Sequence, residues 1–388
     1  MDALAALLYG MRRAVRLARW TRMVGGTLFV RTSLCLKSGV NRFTRIGIKF
    51  ILGFFRIREL HWLLFPLIPP EIESMKILPM QFIHRVSTTW MLFVILTLSA
   101  ATANAGGSPL RALELDRASL PTGVTLEYVE RGWANGPPVL FIHGWLDSRK
   151  SFQQVINRFP LYYRSIAPSM RGHGLSDKPA SGYLMSDYAA DVVALMDELN
   201  IERAHFVGHS MGTAIAQQIA ISNPERVDCM VLLGGAANIA DNPVLGDPEF
   251  VDFINGLSDP VDQGLVQEFV ESLFIQPGDP LFVDLLVREE LLVTANTWIA
   301  GLAGLLDFNS IPDLSSIQAP TLIIFGDQDQ LFSLADQQDL LDGIPNAWLR
   351  IWPETGHAMH WENPTRAAMD INRFLWRCGH NTASHGRR

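Results

Sequence analysis

Gly208-His209-Ser210-Met211-Gly212 follows the short apolar run 204–207 and opens a helical pattern. A serine between two glycines, where a strand turns sharply into a helix, has the form of a nucleophile elbow. Its hydroxyl stands clear of the sheet on a strained turn, with the helix N-terminus beneath it, placed to attack a carbonyl. Five-residue glycine-serine patterns also arise in glycine-rich loops, so the partners of this turn decide its meaning.

Upstream, the apolar run 138–142 reads as a buried strand and leads into His143-Gly144-Trp145. Downstream, 321–325 is another such run, ending in Gly326-Asp327-Gln328-Asp329, and Gly356-His357 follows about thirty residues later. Further strand candidates fall at 124–128, 163–167, 204–207, 227–233 and 348–352. Their hydrophobicity is continuous rather than alternating, as expected of strands covered on both faces in a mostly parallel sheet. Between them, Tyr188, Val192, Leu195, Met196 and Leu199 recur at helical spacing with Ser186 as expected N-cap. Ala367, Ala368, Ile371, Phe374 and Leu375 do the same after Asn363-Pro364, where proline suits a first helical turn. The fold class is α/β. Some eighty residues between the strands at 227–233 and 321–325 contain no convincing strand, and their apolar positions are helical in spacing. A loop that long is better read as an inserted subdomain. The expectation is a helical cap over residues 238–310, with the α/β core in 106–237 and 311–388.

Together, His143-Gly144-Trp145, Arg171-Gly172-His173-Gly174-Leu175-Ser176, the turn at Ser210, Gly326-Asp327-Gln328-Asp329 and Gly356-His357 resemble the α/β-hydrolase fold superfamily. The likeness is to its cap-bearing branch of esterases, lactonases and carbon-carbon hydrolases, and spans nearly all of residues 120–378. The chain order Ser, then acid, then His is the one found there. The resemblance implies a serine hydrolase with Ser210 as nucleophile, His357 as the base that takes its proton, and Asp329 as the carboxylate that orients the imidazole. It also implies an oxyanion hole made of the backbone N–H groups of Trp145 and Met211. His360 is the rival base, but Met359 precedes it where a glycine precedes His357. Asp327 is the rival acid and reads better as a turn residue. His173 and His209 read as loop and packing residues, because nothing pairs them with the serine in a triad scheme. Enzymes of this fold that use an aspartate nucleophile are set aside because position 210 is Ser. No zincin-type histidine pair and no Rossmann glycine fingerprint occurs, so no metal and no cofactor is expected.

The first 105 residues do not read as a folded domain. From Met80, a short basic stretch, the apolar run 90–101 and Ala103-Asn104-Ala105 make a secretory signal peptide over residues 80–105. The apolar run is too short for a spanning helix, which needs about 20 residues. Residues 1–79 carry 13 Lys and Arg against four acids. Either translation starts at Met80, the favoured reading, or this segment is a basic membrane-surface or transit-like piece that keeps the protein membrane-associated. From Gly106 onward, 18 Lys and Arg face 35 Asp and Glu, a net charge of −17 that argues against nucleic acid or an anionic membrane as partner of the mature chain. An exported, periplasmic or extracellular location follows. Cys229 lies in the apolar run 227–233 and reads as a small core residue. An oxidising compartment would permit a bridge to Cys378, but the reading does not rely on one.

Residues 238–311 hold thirteen acids and one basic residue, Arg288. If those acids face the substrate, carboxylate-bearing compounds are disfavoured and the substrate is a small, neutral, apolar ester or lactone. The blander reading is that they solvate the outer face of the cap. A small-molecule receptor, an acyltransferase and a carbon-carbon bond hydrolase share these motifs, and the sequence assigns no oligomeric state. Cleavage after Ala105 is expected, so intact-mass analysis of protein recovered from cells should show a chain beginning at Gly106. A peptide from residues 1–79 would overturn both the start and the cleavage.

Overall fold

The computed structural model describes residues 110–385. The expected basic segment 1–79 and signal peptide 80–105 lie outside the described residues. The chain forms β1 (Leu110–Ser119), β2 (Thr125–Trp133), β3 (Pro138–Ile142), α1 (Gln153–Ile156), β4 (Arg164–Pro168), α2 (Met185–Glu198), β5 (Ala204–His209), α3 (Met211–Ser222) and β6 (Val227–Leu233). Four helices follow: α4 (Pro248–Asn255), α5 (Gln263–Ser272), α6 (Pro280–Glu290) and α7 (Ala295–Leu306). Then come β7 (Thr321–Gly326), α8 (Leu334–Gly343), β8 (Ala347–Trp352), α9 (Met359–Glu362) and α10 (Pro364–His385).

The eight strands make one sheet in the order β1-β2-β4-β3-β5-β6-β7-β8. β1 and β2 run antiparallel to their neighbours, and every pairing from β4 through β8 is parallel. Alternation within each strand explains the unbroken hydrophobicity. Leu140, Ile142, Phe206, Met230, Leu232 and Ile323 point into the layer formed with α2 and α3. Val139, Phe141, Val207, Val231, Leu233 and Ile324 point to the opposite layer, against α1 and α10. Burying one such side chain fully is worth roughly 1.5–3 kcal/mol, so the central strands have no polar face to offer water.

Three local expectations change. β1 was not expected, because its sequence mixes charged and apolar residues with no unbroken apolar run, and Leu115, Asp116 and Arg117 are all exposed. Ser186 lies inside α2 rather than at its cap, and the Asp187 carboxylate instead accepts the Leu184 N–H at 2.9 Å. Cys229, read as a small core residue with a bridge to Cys378 left open, is joined to it by a disulfide that ties β6 to α10 across 149 residues of chain.

The helices α4 to α7 lie between β6 and β7, and a bridge between Asn238 and Asn309 pairs the two chain segments leading into and out of them. α7 lies close to the core because Gly304 has no side chain. A Cβ there would run into the Tyr183 carbonyl oxygen, so any larger residue pushes the helix away. Closing a loop of 149 residues by the disulfide removes entropy from the unfolded chain. Replacing both cysteines with alanine should therefore lower stability by about 2–4 kcal/mol in urea unfolding. Unchanged unfolding of this variant under oxidising conditions would show that the bridge does not form.

Candidate active site

Ser210 sits between β5 and α3 with φ 51° and ψ −119°, in the left-handed region that a side chain rarely adopts. Its neighbours hold it there. The Ser210 N–H donates to the Leu233 carbonyl at 3.0 Å, and the Thr213 N–H and hydroxyl donate to the Ser210 carbonyl at 2.8 and 2.7 Å. Both flanking glycines are sterically required. A Cβ on Gly208 would strike the Gly212 carbonyl, and one on Gly212 would strike the Ile142 carbonyl.

The loops after β7 and β8 bring Asp329 and His357 together. His357 Nδ1 lies 2.8 Å from Asp329 Oδ2, and both side chains are almost wholly buried. The other Asp329 oxygen accepts the N–H groups of Leu331 and Phe332 at 2.8 and 3.1 Å, which aims the carboxylate at the ring. Gly234, after β6, lies against this pair: a Cβ would come within 3.3 Å of both His357 Nδ1 and Asp329 Oδ2. Asp327 is exposed at the turn, where one oxygen accepts the Thr355 N–H at 3.4 Å. His360 is fully buried, stacked on Phe152 and hydrogen-bonded through Nε2 to Ser151 Oγ at 3.0 Å, so it has no access to Ser210 as a base.

Ser210 and His357 line one cavity with Gly144, Trp145, Asp147, His209, Leu245, Phe269, Leu273, Leu305, Leu331 and Phe332. Its free space is about 20 Å³, room for about one water, so an ester can enter only when cap side chains shift. Met211 opens α3 directly after the serine, and Trp145 stands on the loop after β3, edge-on to Phe269 and Trp298 of the cap.

That loop is braced by two histidines. His143 Nε2 accepts the Met170 N–H at 2.9 Å and its Nδ1 donates to the Gly144 carbonyl at 2.7 Å. His173 Nε2 accepts the Leu146 N–H at 3.2 Å and its Nδ1 donates to the Arg171 carbonyl at 2.7 Å. Each ring must be neutral to make both bonds. Arg171 in turn grips Asp191 of α2 through two hydrogen bonds and the Gly182 carbonyl through a third, which accounts for the Arg171–Ser176 motif as a structural clamp. His209 Nε2 donates to the His357 carbonyl at 3.2 Å and so steadies the loop that carries His357.

The site also contains groups that sequence reasoning missed. Asp147 is a buried acid in the cavity wall, and Glu290, at the end of α6, is buried beside it. Only a tally of acids drew Glu290 into view, and nothing in its neighbourhood distinguishes it from the exposed acids around it. Of the thirteen cap acids, ten are exposed, so the blander reading of that tally is the better one.

The family profile of the α/β hydrolase fold matches residues 137–364. This chain belongs to the α/β-hydrolase family. It is 30% identical over 241 residues to 3-oxoadipate enol-lactonase 2 of Acinetobacter baylyi, covering 62% of this chain and 89% of that one. It is 29% identical over 280 residues to 2-hydroxymuconate semialdehyde hydrolase of a Pseudomonas species, covering 69% and 96%. Among solved structures, an N-acyl homoserine lactone degrading enzyme superposes with a TM-score of 0.56 at 28% identity, covering 67% of this chain and all of that one. The chain is therefore a hydrolase of this fold, and the proteins it resembles include, besides these, a non-heme haloperoxidase of Rhodococcus erythropolis at 28% identity, covering 64% of this chain and 96% of that one.

Burial holds His143, His173, His205, His209 and His360 below the ordinary histidine range. Burial raises two carboxyls, Glu290 and Glu362, and works in the opposite sense. Below about pH 6.5 the unfolded histidines take up protons that the folded ones refuse, so stability is full above that pH and falls as pH drops toward the folded values. Five histidines outweigh two acids. Urea midpoints should fall between about pH 7.5 and 5.5, and His173→Asn should flatten that slope; a midpoint independent of pH would contradict the neutral-ring assignment.

Proposed function

We propose that this hydrolase cleaves a small, neutral, largely apolar ester or lactone through an acyl-enzyme at Ser210. The observation that carries the reading is the wall of the cavity holding Ser210 and His357. Six of its residues are leucine or phenylalanine, no Lys or Arg is among them, and its one acid is Asp147. A carboxylate on the substrate would meet a like charge in a low-dielectric wall with no cation to offset it. The names 3-oxoadipate and 2-hydroxymuconate describe carboxylate-bearing compounds, so the relatives' substrates fit this wall poorly. A lactone without a free carboxylate avoids that like charge once the cap side chains shift to admit it.

In the proposed mechanism, Ser210 Oγ attacks the carbonyl carbon while its proton passes to His357 Nε2. The Nδ1–H remains bonded to Asp329, which keeps the ring in the tautomer that leaves Nε2 free and stabilises the imidazolium that forms. The carbonyl oxygen becomes an oxyanion facing the backbone N–H groups of Trp145 and Met211. The bond to the leaving oxygen then breaks, and His357 returns the proton to that oxygen. Water, deprotonated by the same imidazole, attacks the acyl carbon and releases the acid and free Ser210.

Export is part of the proposal. The Cys229–Cys378 disulfide supports an oxidising compartment, where such bridges persist.

A fluorophosphonate should label the wild type and leave Ser210→Ala unlabelled, and the substitution should lower kcat on a small neutral ester by about 10⁴-fold or more. Matched pairs of neutral and carboxylate-bearing esters test the substrate class. A higher kcat/KM for the anion would sink it, and single turnover without recycling would identify a receptor instead.

A further inference from the structure

Asp147 and Glu290 meet where the cap rests on the loop that carries Trp145. Asp147 lies three residues beyond Gly144, and its Oδ2 accepts the Gly144 N–H at 3.3 Å and the Ser151 hydroxyl at 3.1 Å. Its Oδ1 is buried with no N–H or O–H donor from another residue, and the same holds for both oxygens of Glu290. Glu290 is the last residue of α6, 1% exposed, and its carboxyl is within hydrogen-bonding reach of Asp147. Two buried carboxyls in contact, with no N–H or O–H donor from another residue on those three oxygens, are accommodated by sharing a proton.

We propose that the neutral Glu290 carboxyl donates its proton to Asp147 and that this hydrogen bond is the clasp by which the cap fixes the oxyanion loop. Glu290 is thereby a positioning residue for the hydrolysis proposed above, and the inference rests on that reading for its kinetic test.

Several surrounding groups favour the neutral form. Burial and the neighbouring Asp147 charge hold the Glu290 carboxyl well above the usual carboxylate range. The C-terminal end of α6, where carbonyls point outward, disfavours a negative charge as well. From the core, the ionisable groups facing Asp147 are His209, whose Nδ1 is 3.8 Å from Oδ2, and His143, both held neutral by burial. From α9, His360 is one step removed through Ser151 and is likewise neutral. On the cap, Glu289 turns to the Ser148 hydroxyl at 2.8 Å, with Lys150 as the cation it faces, and Arg288 turns outward to Asp284. Neither Asp147 nor Glu290 has a Lys or Arg ion-pair partner among the described residues.

Ionising Glu290 would set two carboxylates against each other. The repulsion would lift α6 and draw Asp147 off the Gly144 N–H, disturbing the neighbouring oxyanion donor. The clasp is therefore complete below the ordinary glutamate range, and its contribution is lost as pH rises through the raised value.

The experiment follows a neutral nitrophenyl ester from weakly acidic to alkaline pH with wild type, Glu290→Gln and Glu290→Leu. The amide of Glu290→Gln still donates to Asp147 without titrating, so it should keep kcat within about threefold at neutral pH and lose the alkaline fall seen in the wild type. Glu290→Leu leaves Asp147 without its donor and should lower kcat about tenfold or more, with a smaller change in KM, as expected when an oxyanion donor is misplaced. An alkaline fall identical in wild type and Glu290→Gln, or wild-type kcat in Glu290→Leu, would overturn the clasp. Amide hydrogen exchange over 143–151 and 280–290, compared between wild type and Glu290→Gln at equal alkaline pH, tests it without turnover. Faster exchange in the wild type supports the clasp even if no ester is cleaved, in which case the hydrolytic reading alone fails. Equal exchange overturns it whatever the activity.

Discussion

The turn at Ser210 is the constraint on which the site depends. A serine at φ 51° costs on the order of 1–2 kcal/mol relative to ordinary backbone. It is tolerated because β3, β6 and α3 close on it from three sides, with carbonyl oxygens occupying the space where Cβ atoms at 208 and 212 would lie. Because β5 is central and its neighbours run parallel to it, the carboxyl ends of β3, β6, β7 and β8 open at the same edge. The loops that start there carry Trp145, Gly234, Asp329 and His357. A ligand crevice at the carboxyl ends of parallel strands is the general outcome of this topology.

Much of this was legible in the sequence for a simple reason. Central strands buried on both faces read as short unbroken apolar runs, and β3, β5, β6 and β7 were found within a residue or two of their ends. The Gly-His-Ser-Met-Gly turn and the Gly-Asp-Gln-Asp and Gly-His loops were legible because close backbone contact leaves room only for glycine beside a functional side chain. β1 was hidden because this edge strand mixes charged and apolar residues without an unbroken apolar run, as loops also do. The disulfide was hidden because spacing carries no record of which side of a sheet Cys229 faces or where α10 ends.

Asp147 and Glu290 were illegible for a different reason. Their significance lies in burial and mutual contact, and a sequence records neither. Glu290 differs from Glu289 by one position, yet Glu289 bonds the Ser148 hydroxyl at a partly exposed site while Glu290 is sealed between cap and core. A helix advances 100° per residue, so adjacent acids at the end of α6 face different environments. The tally of cap acids therefore overstated the field at the serine, and the relevant charge is a single core residue in the cavity wall.

The cap is coupled to the loops that carry Trp145 and His357, at both ends of the cavity. α7 lies against Trp145 and Tyr183, α6 reaches Asp147 and Ser148, and the segment after α5 meets the His357 loop: the Ala358 N–H donates to Leu273, and Glu362 accepts from Ile275 and from Gly356. Displacing the cap to admit substrate must then strain either the loop that carries Trp145 or the loop that carries His357. A substrate that lets the cap settle back restores both sets of contacts together, whereas one too large to permit closure leaves at least one group misplaced. Discrimination by size would thus appear in kcat rather than in KM alone, because the binding energy of a well-fitting acyl group is used to reassemble the catalytic geometry.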